Sequence, residues 1–246
     1  MFEGGFMGAS ARAALATPDG GNKFQAIAHL QREIGRLQRR RSDLPIVPLL
    51  PALAPLMPEG GLQSGAVYTF TPSLRLASAL IAAATQQGAW CAVVGLPTFG
   101  IESAEAQGVD PERLIVVPHP HQRWFSVISA LSEVVSLIMV HPSTPISAAE
   151  AQRFQARLRD RACTVLIASE NYEWPNKQGE LWLSQPEWRG LGNGWGVISE
   201  CEVTVSARIR GLPAPRHQRV IMPNAQGQVQ AVSTVVDAAH RWRTAG

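Results

Sequence analysis

Five apolar runs alternate with helical periodicities between Ala66 and Ala168, and this alternation limits the fold more than any other feature of the chain. Ala66 to Phe70, Trp90 to Val94, Leu114 to Val117, Val135 to Val140 and Cys163 to Ala168 are almost continuously hydrophobic. Strands without polar alternation are buried on both faces, which a parallel sheet achieves when helices cover each side. The segments between supply the helices. Ser73 to Gln87 places Leu74, Ala77, Leu80, Ile81 and Ala84 at three- and four-residue steps. A short helix follows near Ile101 to Gln107, then Gln122 to Glu133 and Ser147 to Arg161. After Glu170 the pattern changes. Glu180 to Ser184, Gly196 to Ile209 and a hairpin of Arg219 to Met222 with Val229 to Val232 read as antiparallel. The expected class is α/β, a mostly parallel sheet flanked by helices with an antiparallel extension, over residues 60–232.

The flanks have another character. Residues 1–21 are rich in Gly, Ala and Ser and read as a flexible tail. Asn22 can cap a helix over 22–43, with Phe24, Ile27, Leu30, Ile34 and Leu37 on one face. Arg32, Arg36, Arg39 and Arg40 fall away from that face. Such a helix packs on its own domain, docks on a partner or contacts nucleic acid. Five prolines make 44–59 an extended connector. A last helix within 233–246 sets Val235, Val236 and Ala239 beside Arg241, Trp242 and Arg243. It is too short to be stable alone, so it packs on the domain or waits for a partner.

Net charge is only +3, so charge alone carries no nucleic-acid claim. Only Lys23 and Lys177 among the 22 basic residues are lysines, so no lysine can serve a phosphate site between Phe24 and Asn176. Cys91, Cys163 and Cys201 are odd in number and set in apolar runs, which predicts buried reduced thiols. No apolar run approaches the ~20 residues of a membrane span. The amino terminus lacks a basic region followed by an apolar core. A cytoplasmic protein is expected.

The segments "EGGLQSGAVYTF", "GAWCAVVG", "GVDPERLIVVP" and "EVVSLIMVHPS" follow one another with the spacing of the RecA ATPase core, which this region resembles. A working phosphate loop needs G-x-x-x-x-G-K-[ST] between strand and helix. Here only Thr71, Pro72 and Ser73 stand there, with neither glycine nor lysine. Arg75 is the nearest cation, inside the helix, and a guanidinium does not mimic a lysine ammonium. RecA-type ATPases end the second strand in a carboxylate that activates water, where this chain reads Gly95-Leu96-Pro97. They end the fourth in a metal-binding aspartate, where it reads His141-Pro142. With all three positions changed, neither ATP chemistry, a nucleotide cofactor nor a bound metal is expected, and Thr71, Pro72, Ser73, Arg75 and His141 mark a degenerate site.

His119 and His121 follow the third strand and His141 the fourth, at the sheet end where ligands bind. In RecA-like order the second strand separates these groups by about 10 Å, too far for one metal shell. Trp174, Trp182, Trp188 and Trp195 cluster with Tyr172 in the antiparallel part. They form a small core, a stacking surface for single-stranded nucleic acid or a protein contact.

Among RecA-like chains without the nucleotide site, this one resembles the ImuA-prime family, including the arginine-rich amino-terminal helix, the Gly108 to Leu114 segment and the antiparallel tail ending in a basic helix. SulA-like division inhibitors are shorter and do not need the segment from Asn171 onward. The resemblance implies a non-enzymatic adaptor of translesion synthesis that binds ImuB, an inactive Y-family polymerase relative, and acts with an error-prone C-family polymerase. By analogy with RecA packing, the face of Leu30, Ile34 and Leu37 binds another copy or a partner groove, and Arg241 to Arg243 form the second docking candidate. A division inhibitor and a single-stranded DNA-binding accessory module are the alternatives.

Overall fold

The computed structural model describes residues 45–169, 172–190 and 199–232. The tail at 1–21, the helices read at 22–43 and 233–246, and Trp195 lie outside the described residues.

The five apolar runs form β3 (Val67–Phe70), β4 (Cys91–Val94), β5 (Leu114–Val117), β6 (Leu137–Val140) and β7 (Thr164–Ala168). The helices between them are α1 (Leu74–Gln86), α2 (Ile101–Ala106), α3 (Trp124–Leu131) and α4 (Ala148–Arg161). β8 (Gly179–Arg189), β9 (Glu200–Ile209), β10 (Arg216–Ile221) and β11 (Gln230–Ala231) complete a nine-stranded sheet of order β11-β10-β9-β8-β3-β7-β6-β4-β5. β4 separates β5 from β6, as expected.

β8 departs from the antiparallel reading. It runs parallel to β3, with Tyr68 opposite Gly179, Thr69 opposite Glu180 and Phe70 opposite Leu181, and antiparallel to β9 along its other edge. It is therefore the sixth parallel strand and the hinge between the two sheet styles. It is also longer than Glu180 to Ser184. An irregularity between Ser184 and Glu187, with Gln185 at φ 52°, absorbs Pro186 and lets pairing continue to Arg189 opposite Glu200.

Each face of the sheet has its own core. On one, the buried residues of α1, among them Leu76, Leu80, Ile81 and Ala84, cover Tyr68, Phe70, Cys91, Val93, Leu137, Met139, Leu166 and Ala168. On the other, Trp124 and Ile128 of α3 and Phe154 and Leu158 of α4 cover Val67, Ala92, Val94, Ile138, Val140, Val165 and Ile167. Local chemistry sets the helix ends. Ser147 and Glu150 form a reciprocal capping box at α4. The Ser73 hydroxyl accepts from Leu76 N–H at α1. α3 starts later than Gln122, because His121–Arg123 form a 3-10 turn first. All three cysteines are free and buried, and burial pushes the Cys91 and Cys163 thiols up to about 12.

The connector at 44–59 is corrected by the structure. β1 (Ile46–Pro48) pairs with β2 (Gly61–Gln63), and Ala54–Leu56 form a 3-10 turn with Pro55 in its first turn. Val47, Leu49, Leu53, Leu56 and Met57 are buried in the α1-side core. The prolines occupy positions that need no amide donor, an edge strand and a turn start, and the apolar residues between them pack. Arg216 on β10 fastens the segment by donating to the Pro55 and Met57 carbonyls at 3.2 and 2.9 Å.

Candidate functional site

The three positions that sequence comparison set apart come together. Pro72 and Ser73 after β3, Gly95 to Pro97 after β4 and His141 after β6 line one cleft of about 270 Å³ at the carboxyl ends of the parallel strands. Phe70, Leu74, Ala77 and Ala168 supply its apolar wall. No carboxylate, lysine or arginine is among its lining residues.

Ser73 and His141, two of its polar residues, are engaged by the chain. Ser73 Oγ accepts from Leu76 N–H at 3.4 Å, and the Ser73 carbonyl accepts from Ala77 N–H at 2.8 Å. One first-turn amide of α1, that of Leu76, is thus taken by the chain's own serine. Thr71 N–H donates to the Leu181 carbonyl at 3.0 Å, which ties the short loop to β8. His141 Nδ1 lies 2.6 Å from the Ala168 carbonyl oxygen and its amide donates to Val94 O, so the residue is held between β4 and β7. Gly95 takes φ +75°, and a Cβ there would sit 2.6 Å from the His141 carbonyl oxygen. The position that corresponds to the water-activating carboxylate therefore has no room for a side chain.

Arg75 does not line the cleft. Its guanidinium carbon stands 4.7 Å from the Trp188 ring centroid, a cation–π contact between α1 and the end of β8. Leu74 and Trp188 are both exposed, so an apolar side chain, a guanidinium-capped indole and the cleft share one end of the sheet. Trp188 was legible only as one of a cluster. Its partnership with Arg75 spans more than a hundred residues and leaves no local signal.

The tryptophans divide. Trp174 is buried and packs edge-on against Phe154 and nearly parallel to Tyr172. Trp182 lies on the opposite sheet face from Leu181, edge-on to His217 and 5.6 Å from the Arg208 guanidinium. His141, turned toward β7, does not join His119 and His121, whose rings stack at 6.0 Å. Among the described residues no three His, Cys, Asp or Glu side chains are grouped to hold a metal ion. No described helix is long and apolar enough to cross a membrane. Leu30, Arg32, Ile34, Arg36, Leu37, Arg39, Arg40, Arg241, Trp242 and Arg243 lie outside the described residues.

A family model for the MT3502 N-terminal domain matches residues 55–176. The chain is 24% identical over 202 residues to the uncharacterized protein Rv3395c of Mycobacterium tuberculosis, spanning 81% of this chain and 88% of that protein. Among solved structures it is similar to the RadB recombinase, with a TM-score of 0.53 and 15% identity over 74% of this chain and 97% of the other. The fold is RecA-like, and at that identity the likeness concerns the fold alone.

Proposed function

We propose that this chain is a RecA-like adaptor without catalytic chemistry, which serves damage-induced mutagenesis by binding an ImuB-type inactive Y-family polymerase relative and, through it, an error-prone C-family polymerase. The carrying observation is the cleft at the ends of β3, β4 and β6. It has the place of a RecA-type nucleotide site and an uncharged lining, and its helix end is capped by Ser73. A triphosphate with magnesium would meet no lysine, arginine or carboxylate there. An apolar side chain from a protein partner would meet Phe70, Leu74 and Leu96.

A pull-down with the purified ImuB-type protein tests this reading. Capture is expected for the full chain and for Arg75→Ala, and is lost when 22–43 or 233–246 is removed. Capture of a tubulin-like filament protein instead would move the assignment to a division inhibitor. ATP hydrolysis above the buffer rate would sink the non-catalytic reading.

A further inference from the structure

The loops after β5 and β6 meet across the end of β4. Ser143 Oγ donates to the His121 carbonyl at 2.7 Å, and Trp124 Nε1 donates to Thr144 Oγ1 at 3.0 Å. Between them opens a cleft of about 770 Å³ lined by His119, His121, Gln122, Arg123, Ser143 and Thr144. None of the cleft just described for Ser73 and His141 is shared. Its volume falls within the range of about 300–1,000 Å³ usual for small-molecule sites. It also lies at the carboxyl ends of the strands, where open α/β sheets bind ligands.

The lining is rich in donors and contains no carboxylate. Arg123 offers a planar fork of donors and accepts nothing. Each imidazole offers at least one N–H, and the two rings lie nearly parallel, 18° apart. Thr144 Oγ1 accepts from the buried Trp124, which fixes the hydroxyl in place with its own proton still to give. His121 takes a left-handed φ of 49°, and the Ser143 bond to its carbonyl holds that turn. The lining holds no carboxylate to balance a metal ion's charge, two imidazoles alone do not complete a metal shell, and the Arg123 guanidinium repels a cation. A tetrahedral oxyanion matches them all.

We propose that this cleft binds a phosphate-bearing anion through Arg123, His119, His121 and Thr144. The site stands apart from partner binding at the other cleft and does not depend on it. The phosphate belongs either to a small molecule or to the backbone of a nucleic acid, and the two sources are separable.

The full chain is titrated with pyrophosphate by calorimetry at low salt, and with a fluorescent single-stranded 20-mer by anisotropy. Binding of pyrophosphate is expected, weakened about tenfold or more in Arg123→Ala, since a charge-assisted hydrogen bond of ~1.5–3 kcal/mol is lost. His121→Ala weakens it too, whereas Arg75→Ala leaves it unchanged. Arg123→Lys keeps the charge and retains part of the affinity, which guards against a folding defect in the alanine variant. Oligonucleotide binding that fails in the same variants makes nucleic acid the source, and pyrophosphate binding without it makes the source a small molecule. The absence of both, or affinity undiminished in Arg123→Ala and His121→Ala, overturns the proposal.

Discussion

Single residues hold the two halves of this sheet in fixed states. At Gly95 a left-handed φ and the nearby His141 carbonyl both exclude a Cβ. Backbone in such a region costs a non-glycine residue about 1–3 kcal/mol, and here the steric contact adds to it. Gly95→Ala is therefore expected to lower the unfolding free energy measured in urea by at least that amount, while Gly88→Ala, with open space around it, incurs the backbone cost alone. Glu202 on β9 is the counterpart in the extension. The Arg219 side-chain hydrogen bond, with Arg189 nearby at 2.8 Å, holds its carboxyl below the ordinary 4.5. A carboxyl lowered in the folded state stabilises fully above its unfolded value, and that contribution disappears as pH falls through the folded one. Urea unfolding of wild type and Glu202→Gln should then differ at pH 7 and converge below about pH 4. A gap that stays constant across that range would assign the effect to packing.

At the scale of elements, burial separates what is structural from what is available. Leu80 in α1 is wholly buried against the sheet, so Leu80→Ala should cost about 2–5 kcal/mol in thermal or urea unfolding. Trp188, exposed beneath Arg75, should cost about 1 kcal/mol or less when changed to Ala, because an exposed cation–π contact contributes little. Equal losses at the two positions would contradict this division. The same distinction explains what the sequence disclosed. β3 to β7 announce themselves because each is an uninterrupted apolar run buried on both faces, and the one-sided periodicity of α1 follows from lying on that sheet. β8 was legible only to Ser184, since Pro186 reads locally as a stop and only the pairing with β9 shows that a bulge absorbs it. The degenerate loop at Thr71 to Ser73 was visible as a motif failure. The oxyanion cleft was visible only as two histidines, because Arg123, Ser143 and Thr144 reach it from two loops that only the strand order joins.

For the molecule as a whole, the question is where the domain begins. Proline content placed the boundary at Gly60, with 44–59 read as an extended connector. Proline content does not register the apolar residues between the prolines. Val47, Leu49, Leu53, Leu56 and Met57 are all buried in the α1-side core, and Arg216 grips the carbonyls of Pro55 and Met57 from the far end of the sheet. Side chains of this kind contribute roughly 1.5–3 kcal/mol each when fully buried. Their sum is on the order of 10 kcal/mol, an upper estimate because a denatured chain already hides part of its apolar surface. Whole domains are stable by only about 5–15 kcal/mol, so this one segment rivals the net stability of the fold. A chain starting at Pro45 is therefore expected to unfold cooperatively in urea, whereas one starting at Gly60 should lose its sharp transition and bind a hydrophobic dye. Cooperative unfolding of the shorter chain with an unchanged midpoint would restore the connector and remove these residues from the core's account.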